Sequence, residues 1–329
     1  LTPFGFLRLD MRPAHTISIE PGTLAIETEL GYQNTWALSK NVEEYLTSLE
    51  PTGRRELGSA ELAAIQNLPG ENYLIDLELA SLDLIFHYKL SDIWTAYLIT
   101  SAVSYHGGFL DGAIESFHDT FGFSSFGRPA VKRDDVNVIY DLKSVQLAAF
   151  GAPSDGGFLD PTFGLRYVGV RMPERWSMSL EAAVKVPVGG ERTLLSTGEV
   201  DYGLQASLQR RGNHHAIYVN AAAVYYGGAQ FPVPEEAQFI PTLILGYERA
   251  LTERTNLNLQ VYVSTSVYDS EQTDLDELTG EKYQYSIGLR HRTGRFLVTF
   301  GFTENVQNIN NTPDIGLQLG VAFVPNLPR

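Results

Sequence analysis

Apolar and polar residues alternate along most of the chain from residue 23 onward. In the segment TLAIETELGYQNTWALS, the apolar residues Leu24, Ile26 and Leu30 are separated by polar positions that include Glu27 and Glu29. The same period of two recurs in VDYGLQASLQ and in NLNLQVYVSTSV. Because successive side chains of a β-strand point to opposite faces of a sheet, this period predicts strands with one apolar and one polar face.

The alternation predicts twelve strands joined by connections of two lengths. The second strand requires a β-bulge near Ala80, because its apolar positions change from odd numbers, such as Leu77, to even numbers, such as Leu84. Connections such as LSDI, MPER and RTGR are short, and the others are long and polar, including a possible short helix or disordered stretch at SAELAAIQNL. The predicted strands cover 23–39, 73–90, 94–106, 162–172, 176–187, 200–210, 215–227, 238–250, 256–268, 281–292, 296–304 and 314–324.

Strand number and aromatic placement favour a membrane barrel over a soluble sandwich or a lipocalin-like barrel. Soluble sandwiches have strands nearer six residues, and a lipocalin-like barrel would share the alternation with its apolar face inward. Bacterial transmembrane barrels combine even strand numbers, short turns, long outer loops and aromatic girdles. Trp36, Tyr88, Trp94 and Trp176 all lie near predicted strand ends. A closed barrel also leaves no unpaired sheet edge in lipid.

The sequence therefore predicts an all-β fold, a closed antiparallel transmembrane β-barrel of about 12 strands in the outer membrane of a Gram-negative bacterium. A single barrel domain covers 23–329, with a helical insertion at 107–160 between strands 3 and 4. The N-terminal segment 1–22 either forms a plug or lies in the periplasm.

Composition excludes several classes of protein. The chain has 39 acidic and 24 basic residues, a formal charge of −15, which argues against nucleic acid as a partner. It has no cysteine, so disulfides, thiolate metal sites and a cysteine nucleophile are excluded. No stretch approaches the roughly 18 apolar residues of a membrane-spanning helix.

Three segments resemble a known family. The acidic first strand, the turn YKLSDIW and the segment GGFLDGAIESFHDTFGFSSFGR are together similar to a proteobacterial family of outer-membrane-type proteins classified as a domain of unknown function. The resemblance covers nearly the whole chain and implies an outer-membrane location, with no particular activity. Its most specific positions are the glycine pair with Asp111, Glu115, Phe117, His118 and Arg128.

The motif GGFLD occurs twice, at 107–111 and at 156–160, and only the first copy continues into a predicted amphipathic helix. We interpret the glycine pairs as points where the chain turns sharply at the two edges of an insertion. Asp111, Glu115 and His118 fall within a wedge of roughly 60° on one face of this helix. These residues are candidate ligands of a divalent cation, if Asp160 or another acid completes the set, or they form the solvated or lumen-facing side of a short plug helix.

Charged residues on the polar strand faces are candidates for lining the lumen. The acids Glu27, Glu29, Asp76 and Glu78 would face basic residues on later strands and produce a transverse field like that of a porin constriction, or would only solvate the interior. The basic residues are Arg166, Lys185, Lys282, Arg290 and Arg292.

The leading functional hypothesis is passage or binding of a small solute or ion through a polar lumen that the insertion partly plugs, with Asp111, Glu115 and His118 along the route. The first alternative is an envelope scaffold with a sealed lumen that binds another envelope protein. The second is an outer-membrane hydrolase, although no GxSxG motif is present. The sequence therefore favours a non-enzymatic protein without a cofactor, in contact with outer-membrane lipid.

Overall fold

The computed structural model describes residues 7–13, 20–151, 155–190, 194–305 and 314–325. Twelve strands of this part of the chain form a closed antiparallel ring, in which β1 pairs with β15 and β3 pairs with β7. This confirms the predicted transmembrane barrel. The strands are β1 (Leu24–Leu38), β2 (Asn72–Lys89), β3 (Trp94–His106), β4 (Asn137–Leu142), β5 (Val145–Phe150), β6 (Gly157–Phe158), β7 (Thr162–Tyr167), β8 (Trp176–Lys185), β9 (Asp201–Arg211), β10 (His215–Tyr226), β11 (Gln238–Ala250), β12 (Thr255–Ser264), β13 (Lys282–Thr293), β14 (Phe296–Glu304) and β15 (Ile315–Phe323).

Strands β4, β5 and β6 belong to the insertion and lie outside the ring of twelve. β4 pairs with the first residues of β2, where β3 does not reach, and β6 pairs with β3 at Ala102 and Val103. The insertion also contains the predicted helix, α3 (Asp111–Phe121), after α1 (Lys40–Leu49) and α2 (Ser59–Gln66) and before the short α4 (Asp276–Thr279). In the described part of the chain, no helix has the length and hydropathy needed to cross a membrane.

The bulge predicted near Ala80 is absent. β2 pairs with β1 in one continuous register, from Leu24 opposite Tyr88 to Leu38 opposite Leu74. Even-numbered residues of β2 therefore face outward along its whole length and odd-numbered residues face inward. The apolar residues are mostly on the inward face before Ala80 and mostly on the outward face after it. They change face because the surroundings of both faces change along the strand, while the backbone stays regular.

At the end of the barrel with long loops, the inner face of the wall is apolar. Ile75, Leu77 and Leu79 pack there with residues of the opposite wall and of the β4–β5 hairpin, whose Lys143 reaches Asp274 at 2.9 Å. We call this cluster the cap. The buried residues of the cap are Leu7, Ala37, Tyr73, Ile75, Leu77, Leu79, Val103, Tyr105, Val138, Tyr140, Leu142, Leu194, Tyr226, Ala229, Val233, Ile240, Val267, Tyr268 and Leu278.

The last residues of the predicted strand 256–268 enter the cap instead of extending β12. β12 ends at Ser264, and Val267 and Tyr268 are buried in the cap. Ser266 holds this inward turn, because its Oγ donates to Leu278 O at 2.6 Å and accepts from Tyr268 N at 3.0 Å. Burial of two large apolar side chains therefore outweighs continuation of the strand.

The outer face of the wall at this end is covered by protein. Val42 and Leu46 of α1, one helical turn apart, are fully buried with Leu38 and Leu74, which face outward on β1 and β2. Ile65 of α2 joins the same cluster. The first strands therefore extend past the level of lipid into a layer of helices, so an outward-facing residue there is not a lipid-facing one.

Candidate functional site in the barrel lumen

Residues 7–13, here called the lumenal segment, run inside the barrel. The backbone N–H of Leu9 donates to Asp201 Oδ2 at 2.7 Å, and Lys185 Nζ donates to the carbonyl oxygen of Leu7 at 2.8 Å. Gln205 Nε2 donates to the carbonyl oxygen of Arg12 at 2.9 Å. Backbone groups of an irregular segment need such partners when they are buried. The wall strands β8 and β9 thus supply the hydrogen bonds that this segment cannot make internally.

Close packing holds the same segment against β8, β9 and β10. Leu9 and Met11 are buried with Ala183 and Ala222, both small side chains on the inner face. At Gly203, a Cβ atom would lie only 2.4 Å from Met11 Sδ and 2.9 Å from Leu9 Cδ2. The wall therefore has small residues and a glycine where the segment rests on it.

Arg12 links the lumenal segment to the opposite wall. Its Nη1 donates to Glu29 Oε2 of β1 at 2.6 Å, and its Nη2 bonds to Asp83 of β2. The carboxylates come from neighbouring strands, where Glu29 and Asp83 are directly paired in the sheet. The guanidinium separates two like charges that would otherwise repel each other. The segment consequently crosses the lumen between the two sides of the barrel.

A polar space lies beside the lumenal segment. One cavity of about 440 Å³ occupies the half of the lumen nearer the short turns, and a second of about 270 Å³ lies towards the cap. The two cavities share the lining residues Asp10, Pro13, Gln260, Ser286, Thr303 and Gln318. The larger cavity is lined by the charged residues Asp10, Glu27, Glu29, Asp83, Glu181, Arg12, Arg166 and Arg290, together with His87.

Most charges of the larger cavity lie close to an opposite charge. Arg166 Nε donates to Glu181 Oε2 at 2.5 Å, and His87 Nε2 lies 3.9 Å from Glu27 Oε2. Arg290 lies 3.7 Å from Glu248. Such pairs reduce the cost of holding charge inside the barrel, and water-exposed members stay able to exchange partners.

Seven of the predicted lumen residues face the interior, including Lys282 and Arg292, which share the parity of Arg290 on β13. Glu27, Glu29, Arg166 and Arg290 line the larger cavity. Lys185 also faces inward, but it is buried under the lumenal segment, 3.2 Å from Asp201 and 3.5 Å from Asp160. A solute-binding role for these residues stays a prediction.

The prediction that Asp76 and Glu78 face the lumen is wrong. Both have the parity of Leu82, which is exposed on the outer face, and both are buried beneath the insertion. Glu78 Oε1 accepts from Leu110 N at 2.8 Å and from Asn34 Nδ2 at 3.1 Å. The error follows from the predicted bulge, which would have reversed the facing of the residues before Ala80. In the continuous register both acids stay on the outward side.

Gly108 explains how the first GGFLD copy wraps around Glu78. Its φ angle is +78°, and a Cβ atom there would lie 1.9 Å from Glu78 Oε2. Only glycine combines this backbone conformation with so close an approach. The chain therefore turns outward at the end of β3, and this turn places α3 on the outside of the barrel.

Asp111, Glu115 and His118 consequently lie outside the lumen, contrary to the prediction, and they do not form a metal site. Arg128 Nη1 donates to Asp111 Oδ1 at 2.7 Å, and Arg54 Nη2 donates to Glu115 Oε2 at 2.5 Å. His118 instead packs among phenylalanine rings. Within the described ranges, no group of three or more His, Asp or Glu side chains could hold a metal ion.

Arginine contacts determine the protonation of these outer acids. Burial raises the pKa of Glu115, but hydrogen bonds from Arg54 and Arg133 outweigh this, so its pKa lies below the ordinary value. Burial raises the pKa of Asp314 to about 6, against the opposing attraction of Arg128, which donates to it at 2.7 Å. The polar side of α3 is thus an ion-paired surface that fixes the insertion to the barrel.

The sequence interpretation missed Arg12, Asp10, Asp83, Glu181 and His87 as lumen residues. Asp83 and His87 share the inward parity of β2, and their alternation with the apolar Leu82 and Phe86 is the signal in the sequence that identifies them. Arg12 and Asp10 lie before the first strand, where no periodic pattern exists. The only available signal was a short run of charged and apolar residues, RLDMR, directly preceding a barrel.

Solved structures that resemble this chain include bacterial outer-membrane barrels. The crystal structure of the COG4313 outer membrane channel from Pseudomonas putida F1 is 12% identical with a TM-score of 0.55, covering 95% of this chain and 99% of that one. This likeness shows a shared fold. The NanC porin (7% identity, TM-score 0.47, covering 91% and 98%) and the Ralstonia pickettii toluene transporter TbuX (9%, 0.44, covering 93% and 90%) are more distant.

The sequence comparisons give a family but no relative of known function. No curated protein is significantly similar to the chain. The model of one protein family, described as "Protein of unknown function (DUF3187)", matches residues 11–324. Since this match spans all twelve barrel strands and residues 11–13 of the lumenal segment, the chain belongs to the DUF3187 family.

Proposed function

We propose that the protein is a non-enzymatic outer-membrane channel in which a small polar solute occupies the lumen and the lumenal segment acts as a movable barrier. The observation that carries this proposal is the polar space along the lumen, whose two cavities of about 440 and 270 Å³ adjoin the segment. A barrel of twelve strands is wide enough to contain such a space wherever side chains do not fill its interior.

The lining of the larger cavity favours cationic or zwitterionic solutes. It contains five carboxylates against three guanidinium groups, and the imidazole of His87. An excess of carboxylates in a narrow, low-dielectric lumen attracts cations and repels anions. Neighbouring charges of both signs, such as Arg166 and Glu181, can also orient a solute that carries both.

The lumenal segment is held by contacts that can be exchanged. Arg12 and its carboxylate partners are partly exposed to the cavity, with 33% of the Arg12 side chain accessible. Water or a charged solute can therefore replace these bonds at modest cost. In this proposal, a solute that competes for Glu29 and Asp83 displaces Arg12 and widens the route.

The cap favours one alternative, a sealed barrel that serves as an envelope scaffold. The cap residues come from both walls of the barrel and are buried against one another. A solute that crosses this end therefore requires a rearrangement of the cap or of the loops around it. A sealed barrel would use its outer loops to bind an envelope protein and would conduct no ions.

Planar-bilayer recordings of the full chain and of a variant lacking residues 1–13 test the proposal. We expect low conductance from the full chain and larger, cation-selective conductance from the deletion variant, with selectivity read from the reversal potential in a salt gradient. Heat-dependent electrophoretic mobility checks that both barrels are folded. Absence of conductance from a folded deletion variant would contradict the channel and support the scaffold, and anion selectivity would contradict the assignment of solute charge.

A further inference from the structure

The helix α3 carries a patch of exposed phenylalanines on the outside of the barrel. Phe117 is 51% exposed, Phe121 62% and Phe123 58%, and their rings contact one another, with 4.7 Å between the centroids of Phe117 and Phe121. Soluble surfaces rarely expose several neighbouring aromatic rings. We call these three residues the aromatic patch. We expect a patch of this kind to be covered by lipid or by another protein.

The opposite flank of α3 is turned towards the extracellular loops. Glu115 bonds to Arg54, in the loop that carries α1 and α2, and to Arg133. At 100° per residue, Phe117 lies about 160° around the helix from Glu115 and from the exposed Asp119. The helix therefore has an ionic flank facing the loops and an aromatic flank facing the other way.

The start of α3 lies at the upper edge of the lipid-facing surface. The ring of Phe109, just before the helix, packs on Tyr32 with 5.2 Å between centroids, and Leu30, two residues nearer the membrane centre, is 50% exposed. The apolar band of such barrels is roughly 25 Å tall, and a strand tilted by about 40° rises about 2.6 Å per residue, so the band spans roughly ten residues. Counted from Leu24 at the short-turn end, it ends near Asn34.

The second GGFLD copy presents its phenylalanine at a similar position. Phe158 is 77% exposed and pairs with Ala102 of β3, which itself lies opposite Leu82 on the outward face. Phe109 of the first copy is 70% exposed. The repeated motif thus places one exposed aromatic ring on the outer surface at each edge of the insertion, beside the lipid-facing strands.

We propose that α3 is an interfacial helix whose aromatic patch is embedded in the outer leaflet of the membrane. Lipid is the occupant because the patch continues the apolar outer surface of β1, β2 and β3, and because the ionic flank of the helix is held by the loops above it. Amphipathic helices with aromatic residues on one side lie in the bilayer interface in this way. The insertion thereby anchors the barrel rim in lipid, whether or not the lumen conducts.

Spin labels on the full chain test this placement, since the protein contains no cysteine. The variant Phe121→Cys probes the aromatic patch, and the matched variant Asp119→Cys probes the other flank of the same helix at a site that is also exposed. Leu319→Cys, outward on β15 and 44% exposed, provides a reference inside the lipid-facing band. Each nitroxide is measured in phosphatidylcholine vesicles for collisions with oxygen, which concentrates in lipid, and with a water-soluble nickel chelate.

We expect oxygen collisions to exceed nickel collisions at positions 121 and 319, and the reverse at position 119. If the nickel chelate reaches position 121 as readily as position 119 while position 319 stays protected, the patch faces water and the proposal fails. A protein partner would then be the remaining occupant. Heat-dependent electrophoretic mobility of each labelled variant checks that its barrel is folded, so a misfolded variant cannot be mistaken for either result.

Discussion

Removal of the Arg12 guanidinium should loosen the lumenal segment and raise conductance. In the variant Arg12→Ala, Glu29 and Asp83 lose their shared partner, and the segment keeps its other contacts. These include the bonds of Leu7 and Leu9 to β8 and β9, the bond from Gln205 to the carbonyl oxygen of residue 12, and the bonds of Arg8 to Tyr262 and Ser264 of β12. The remaining contacts still hold the segment, so we expect a shift in population and not complete release.

The size of this shift can be worked from the geometry. A hydrogen bond to a charged group contributes about 1.5–3 kcal/mol when buried. Here the Arg12 side chain is 33% exposed and Glu29 is 22% exposed, so solvent screening reduces the value. We take about 1–2 kcal/mol for both bonds together, which corresponds to roughly a 5–30-fold change in an equilibrium.

Single-channel recording in planar bilayers measures this change as open probability. We expect Arg12→Ala to raise the open probability roughly 5–30-fold, provided that the wild-type channel is mostly closed. The control Arg290→Ala removes an equal charge from the same cavity, where Arg290 lies 3.7 Å from Glu248 of the wall, and should alter selectivity more than gating. Equal open probability in the wild type and Arg12→Ala, alongside clear conductance after deletion of residues 1–13, would refute the assignment of Arg12 as the contact that closes the lumen.

Two further predictions concern the outer ion pairs. Arg128→Met should lower stability by about 3–5 kcal/mol, because Asp111 would stay buried and Asp314 half-buried without their cation. Lys132→Met, at an exposed pair, should leave stability nearly unchanged. Denaturant unfolding in detergent compares the two variants, and equal losses would contradict the argument. The pKa of Glu115 is lowered in the folded protein, so its ion pairs contribute fully above the ordinary value and are lost as pH falls through the lowered one. The hydrogen-exchange protection factors of α3, which compare each amide with its intrinsic rate at the same pH, should therefore fall in acid, and should fall less in Glu115→Gln.

The pattern of the sequence was sufficient for the barrel itself. Alternation with a period of two indicates that a strand has one face towards an apolar environment and the other towards a polar one, and the strands of the ring show this alternation at the level of lipid. Glu27 and Glu29 were placed in the lumen correctly for the same reason, since they alternate with Leu24, Ile26 and Leu30 at the level of lipid. Local information therefore determined the fold, strand number and part of the lumen.

The same pattern failed where the two faces exchange their surroundings. Above the lipid, Leu77 faces an apolar cap inside and Glu78 faces the insertion outside, so polarity no longer indicates direction. Only the strand register, which is a property of the paired β1 and β2, decides that Glu78 points outward. A one-residue difference in register would reverse every side chain.

The location of the two non-strand elements was likewise decided by the tertiary structure. α3 was predicted as a helix from its spacing, yet its place outside the barrel depends on the close approach of Gly108 to Glu78, 30 residues away in the chain. The lumenal segment has no periodicity, because its backbone bonds go to Asp201, Lys185 and Gln205. The sequence by itself determined that this chain closes into a barrel, since alternation is a local property. What lies inside the barrel and what lies outside depended on contacts between distant residues, which only the folded chain brings together.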